Sequence, residues 1–169
     1  YLNYPDLTRD FLGISISTDQ IQSYDDFIKC YNANKMAAPI NTEFLFRDEE
    51  IEKINLAYQT VDVVILSGMA GTGKTRLALH YAKNYSEHLN AKLYCIHSNA
   101  LPIYDDLKLY IDKPGSYFLF VDDANQLSGL HHVIRYVNKN AEGYNIKILI
   151  TVRDYALQKV VKDIQEISS

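Results

Sequence analysis

The sequence predicts an α/β protein built in three layers, a parallel sheet with helices on both faces, preceded by a helical N-terminal leader. Three observations carry this prediction. Four short apolar runs, Val61–Leu66, Ala91–His97, Ser116–Asp123 and Lys147–Asp154, are rich in β-branched and aromatic residues and have the length of buried strands. Between them, apolar residues recur every three or four positions, the period of a helix. The first run also breaks, after Ser67, into the glycine-rich turn Gly68-Met69-Ala70-Gly71-Thr72-Gly73-Lys74-Thr75, which sits between a strand and a helix.

That turn matches the Walker A spacing at every fixed position, and each residue type answers a chemical need. Gly71 and Gly73 allow the backbone to wrap around an anion, and Lys74 brings a mobile ammonium to the β- and γ-phosphates of a nucleotide. Thr75 offers a hydroxyl to Mg²⁺, and the following helix adds its positive end to the same site. The predicted phosphate-binding stretch therefore runs from Gly68 to Arg76 and includes Met69, Ala70 and Thr72.

The remaining elements follow in chain order. Residues Tyr1–Ser17 show no sustained period and read as loop with a short element at most. Ser17-Thr18-Asp19-Gln20 resembles a helix start, and Ile21, Tyr24, Phe27, Ile28 and Tyr31 continue at helical spacing, giving one amphipathic helix whose aromatic stripe reads as a packing face. Asn32–Asn41, with Pro39, reads as a connector, so the leader occupies 1–45 and the nucleotide-binding domain 46–169. Asp48 is a good N-cap for a helix carrying Ile51, Ile54 and Tyr58. Ala78, Tyr81, Ala82, Tyr85 and Leu89 mark a helix over 75–88, with His80 and His88 outside its stripe. Helices are also predicted over 99–112, from Leu127 to Val137, and from Tyr155 to Ile167. His131 and His132 are neighbours on one of these, and adjacent positions do not face each other, so they read as surface or packing residues and not as metal ligands.

Ser116–Asp123 ends in two adjacent carboxylates, the Walker B form. Such a pair is either a solvated strand end or a functional site, and its place in a βαβαβ pattern after Lys74 favours the second. Asp122 would then serve the Mg²⁺ shell as a hard oxygen ligand, and Asp123 would orient or polarise the attacking water.

The composition narrows the function classes. The chain has 169 residues, 47% of them hydrophobic, and a net charge of -4. That balance gives no long-range attraction for nucleic acid or an anionic membrane surface. No apolar run is long enough to span a bilayer, and no signal peptide is present. Cys30 and Cys95 lack CxxC spacing and read as reduced core residues of a cytoplasmic protein. Tyr1 is not a start methionine, so the chain reads as a piece of something longer.

Four segments taken in order resemble the STAND NTPases, the signal-transduction ATPases that include the NACHT and NB-ARC domains of immune receptors and bacterial anti-phage sensors. They are Phe46-Arg47-Asp48-Glu49-Glu50-Ile51, Gly68–Thr75 with Arg76-Leu77-Ala78, Phe118-Leu119-Phe120-Val121-Asp122-Asp123-Ala124-Asn125, and Ile148-Leu149-Ile150-Thr151-Val152-Arg153-Asp154. Phe46 stands where the family has Gly. The resemblance implies a P-loop NTPase core of the additional-strand type, with the Lys147 strand lying between the Walker A and Walker B strands. It also implies an ATP-operated switch, closed with ADP, that self-oligomerises when an unknown ligand or protein is sensed. By motif position Arg153 would be the sensor of the γ-phosphate and Arg47 would lie near the adenine. The alternative for Arg153 is a plain salt-bridge residue paired with Asp154 or another nearby acid. The family's helical lid and winged-helix domain would follow residue 169. An AAA-type motor and a P-loop fold kept only for protein interaction remain as alternatives. ATP is preferred to GTP, because no Asn/Thr-Lys-x-Asp segment is present.

Overall fold

The computed structural model describes residues 17–33 and 47–168. Five strands form one sheet: β1 (Ile21–Ser23), β2 (Val63–Gly68), β3 (Lys92–Ile96), β4 (Ser116–Val121) and β5 (Asn145–Arg153). Their spatial order is β1-β3-β4-β5-β2. β2, β5, β4 and β3 run parallel, as predicted, and β5 separates the Walker A strand from the Walker B strand. The register sets Leu66 beside Thr151 and Gly68 beside Arg153, so β5 ends at the phosphate loop.

Alternation along β4 and β5 divides the core in two, because successive strand side chains point to opposite faces. Tyr117, Leu119 and Val121, with Ile146, Ile148, Ile150 and Val152, pack against α4 (Tyr104–Tyr110), α5 (Leu130–Arg135) and α6 (Leu157–Ser168). Phe118, Phe120 and Leu149 face α1 (Tyr24–Ala33), α2 (Asp48–Ala57) and α3 (Lys74–Leu89). Each helix buries one stripe, while the sheet between them is buried on both sides. This explains why the strands read as continuous apolar runs. Among the described residues no helix is long and apolar enough to cross a membrane.

Several predicted elements are corrected. The leader does not run as one helix from Ser17. Its Ile21–Ser23 stretch is a strand, antiparallel to β3, and only then does α1 begin. The true start signal is Ser23, whose Oγ accepts from the Asp26 amide at 3.2 Å and donates to Asp26 Oδ2 at 2.7 Å. The residues that resembled a cap are engaged elsewhere: Thr18 donates its amide and hydroxyl to the buried carboxylate of Asp106 on α4. Likewise the helix expected over 99–112 is confined to α4, and the one expected from Leu127 continues past α5 only as a 3₁₀ stretch, Tyr136–Glu142. Gly129 precedes α5 because a β-carbon there would stand 2.5 Å from Ile103 Cγ2. α2 begins at Asp48 itself, with Arg47 in the cap position. Leu89, expected in the α3 stripe, is exposed, and Leu77 and Leu79 are buried instead. Cys95 is buried as expected, but Cys30, expected in the core, is exposed. The predicted loop over 1–16, the connector over 34–41 and Phe46 lie outside the described residues.

Candidate functional site

The carboxyl ends of the parallel strands and the loop after β2 surround a cleft of about 420 Å³. Crevices at this end of an open parallel sheet are where α/β folds bind ligands. The loop closes through Gly71 and Gly73, whose φ values of 78° and 77° are left-handed and strained for any side chain. Thr72 Oγ1 donates to the Met69 carbonyl at 2.9 Å and fixes the turn from inside. Lys74 Nζ donates to the carbonyls of Gly68 at 2.7 Å and Met69 at 2.6 Å, so its ammonium lies folded over the loop.

Opposite the loop, Asp122 sits at the end of β4 with 8% of its surface exposed. Its Oδ1 accepts from Thr75 Oγ1 at 2.8 Å and from Thr151 Oγ1 at 3.0 Å. Burial pushes the Asp122 carboxyl above the usual range, while the two hydroxyl bonds and the nearby His97 work in the opposite direction. Thr151 also accepts from the Asp123 amide at 2.9 Å, so this one hydroxyl fixes both acidic residues. Asp123 takes a left-handed conformation, φ 48°, which turns its carboxylate out of the strand direction. Asp123 Oδ2 then accepts from Arg153 Nη2 at 3.0 Å and from Gln126 Nε2 at 3.0 Å. The acid paired with Arg153 is therefore Asp123, across the cleft, and no bond to Asp154 is seen.

Of the residues singled out in the sequence, Ala70, Gly71, Lys74, Thr75, Asp122, Asp123 and Arg153 line the cleft. Gly68, Met69, Thr72, Gly73 and Arg76 belong to the loop and the first turn of α3 without lining it. Arg47 lies on the far side of the loop. Its Nη1 donates to the carbonyls of Thr72 and Gly73, at 3.2 Å each, while Nε is held by Glu50 Oε2 at 2.8 Å. Met69 is 71% exposed at the loop tip.

The sequence reading missed Gln22, Phe27, Cys30, Tyr31, His97, Gln126 and Thr151, which complete the walls. Two of these carried a usable signal. His97 is the first residue past the end of β3, and Gln126 follows Asp123 by three positions on a 3₁₀ turn.

With β5 inserted between the loop strand and the acid strand, the fold is that of a P-loop NTPase of the additional-strand class. The family is narrower than the class: the model described as Novel STAND NTPase 3 matches residues 45–169, and the chain belongs to that family. No curated protein matches it. Among solved structures it is similar to Hsp104 in a closed state with ATPγS and FITC casein, at 15% identity and a TM-score of 0.54 over 89% of this chain and 28% of that one. It is also similar to a RuvB variant from Thermotoga maritima, at 17% identity and a TM-score of 0.46 over 66% of this chain and 40% of that one. The chain thus spans well under half the length of these neighbours, P-loop ATPases of the AAA+ group whose likeness is one of fold.

Proposed function

We propose that this chain is the nucleotide-operated part of a signalling switch, which binds ATP with Mg²⁺ at the cleft, hydrolyses it slowly and self-associates within a longer protein. In this reading the protein is cytoplasmic and answers to a ligand or partner protein. The donor set suits the metal: a threonine hydroxyl and a carboxylate lie 2.8 Å apart at Thr75 and Asp122, hard oxygens of the kind Mg²⁺ takes alongside phosphate. Bound there, the ion would neutralise part of the phosphate charge. Lys74 would leave its loop carbonyls for the β- and γ-phosphates, and Asp123 would orient water.

The observation that carries the switch reading is the ion pair between Arg153 and Asp123. The guanidinium suited to meet a γ-phosphate is engaged with the carboxylate suited to orient the attacking water. Their side chains are 43% and 20% exposed, and an ion pair this open to water is only weakly held. A γ-phosphate can therefore compete for Arg153 and release Asp123, and loss of that phosphate lets the pair re-form. One contact thus distinguishes ATP from ADP.

The test is the ratio of ATP to ADP affinity, by calorimetric titration, for the parent chain and Arg153→Ala. Loss of a charged hydrogen bond to the γ-phosphate should lower ATP affinity by about 10- to 100-fold and leave ADP affinity nearly unchanged. An unchanged ratio would leave Arg153 as a structural ion pair and remove the basis of the switch reading.

A further inference from the structure

Two cations hold carbonyls of the phosphate loop. Lys74, which lines the cleft, takes those of Gly68 and Met69, and Arg47, which does not, takes those of Thr72 and Gly73 through Nη1, each at 3.2 Å. Arg47 stands in the cap position of α2 and is gripped by Glu50 in the first turn: Nε donates to Oε2 at 2.8 Å, and Nη2 donates to Oε1. A guanidinium presents its N–H donors in a rigid planar fork. Glu50 takes the edge formed by Nε and Nη2, so Nη1 is the nitrogen that faces the loop. Gly73 makes room for it, since a β-carbon there would stand 3.2 Å from Arg47 Nη1.

We propose that Arg47, braced by Glu50, is a positioning residue of the phosphate site, which sets the loop amides for the anion and takes no part in reading the base. This rests on the reading of the cleft as an ATP site. None of the described peptide bonds is cis, so each N–H points opposite to the carbonyl of its own peptide unit. Holding the Thr72 carbonyl therefore orients the Gly73 amide, and holding the Gly73 carbonyl orients the Lys74 amide, both away from Arg47. The Gly73 carbonyl also accepts from the Leu77 amide at 2.9 Å, the first bond of α3. The Lys74 amide thus points out of the start of that helix, where N–H groups without a partner in the helix receive anions. Arg47 also keeps its contacts when a nucleotide binds. Lys74 must then leave Gly68 and Met69 for the phosphates, whereas Arg47 has no such task and goes on holding the second half of the loop. The loop is shaped before the ligand arrives, so less ordering is charged against binding.

Inorganic tripolyphosphate, which has neither base nor sugar, is the discriminating ligand, measured by competition beside ATP with Mg²⁺ present. Arg47→Ala should weaken the binding of both by the same factor, about five- to thirtyfold, the effect of losing one or two hydrogen bonds. Arg47→Lys should recover little of this, since one ammonium cannot bond Glu50 and both carbonyls in the fork's geometry. Glu50→Gln leaves the guanidinium in place but removes the charge that braces it, and should weaken both ligands equally by a smaller factor. In ligand-free Arg47→Ala, hydrogen exchange at the amides of Gly73 and Lys74 should speed up severalfold while the interior of α3 is unchanged, a local effect that a general loss of stability does not produce. A loss confined to ATP would make Arg47 a base-contacting residue and overturn the proposal. So would unchanged affinity for both ligands, full recovery by lysine, or loop exchange that does not change. Should Arg47→Ala fail to fold, the same comparison on Glu50→Gln decides. If the parent bound neither ligand, the reading of the cleft itself would fall and this inference with it. Binding that depends on Lys74 but not on Arg47 would overturn the present inference alone.

Discussion

Replacing Thr151 by valine keeps the shape of a buried side chain, 2% exposed, and deletes the one hydroxyl that serves both acids. That hydroxyl donates to Asp122 Oδ1 at 3.0 Å and accepts from the Asp123 amide at 2.9 Å. A hydrogen bond to a charged group is worth about 1.5–3 kcal/mol, and a donor left unsatisfied costs about 1–3 kcal/mol. The two losses overlap, since relaxation at Asp123 lets water reach its amide, and about 2–4 kcal/mol of destabilisation is expected. In a chain of this size about 1 kcal/mol corresponds to 2–4 °C, so the melting temperature should fall by roughly 5–15 °C. Urea denaturation followed by circular dichroism gives the free energy, and Thr151→Ser, which keeps the hydroxyl, should recover most of it. Metal-dependent nucleotide affinity should fall in the same variant, because Asp122 is then held by Thr75 alone. A Thr151→Val protein within about 0.5 kcal/mol of the parent would refute the claim that this hydroxyl organises both acids.

Gly129→Ala should destabilise by about 1–3 kcal/mol, read in the same denaturation experiment, since its β-carbon would stand 2.5 Å from Ile103 Cγ2 and α4 and α5 would have to separate. Lys74→Ala should abolish measurable ATP binding in calorimetry with a melting temperature within a few degrees of the parent, because Lys74 bonds only to two carbonyls of its own loop. Persistent tight binding in that variant would place the phosphates elsewhere.

Where the sequence was informative, one physical cause dominated each residue. The order of the four parallel strands followed from the family resemblance carried by the motifs ending three of them, and their burial on both faces left long apolar runs that admit little else. The phosphate loop was legible because glycine, lysine and threonine occupy fixed places for separate chemical reasons. β1 was not legible: three residues provide no period, and Ile21 suits a helix stripe as well as a strand. Only its pairing partner on β3 decides between them. Tyr31 was hidden for a related reason. A tyrosine four residues after Phe27 is what a packing stripe looks like, and its place in the cleft wall appears only when the fold sets α1 beside Thr75. Arg153 was visible as a charged strand end, but its choice of Asp123 over the adjacent Asp154 depends on the left-handed turn at Asp123.

The short strand β1 also governs how the protein tolerates being cut. Opposite Tyr94, Cys95 and Ile96 it occupies one margin of the sheet, which would otherwise offer unpaired backbone groups to any extended chain. A version trimmed to the family-matched residues 45–169 loses this cover along with Phe27, and so combines an open β3 margin with a newly exposed apolar surface around Phe120. Such a fragment keeps every phosphate-loop residue and is the one most inclined to aggregate through strand addition. Preparations intended for nucleotide work are better begun ahead of Thr18, where the bonds to Asp106 secure the leader to α4.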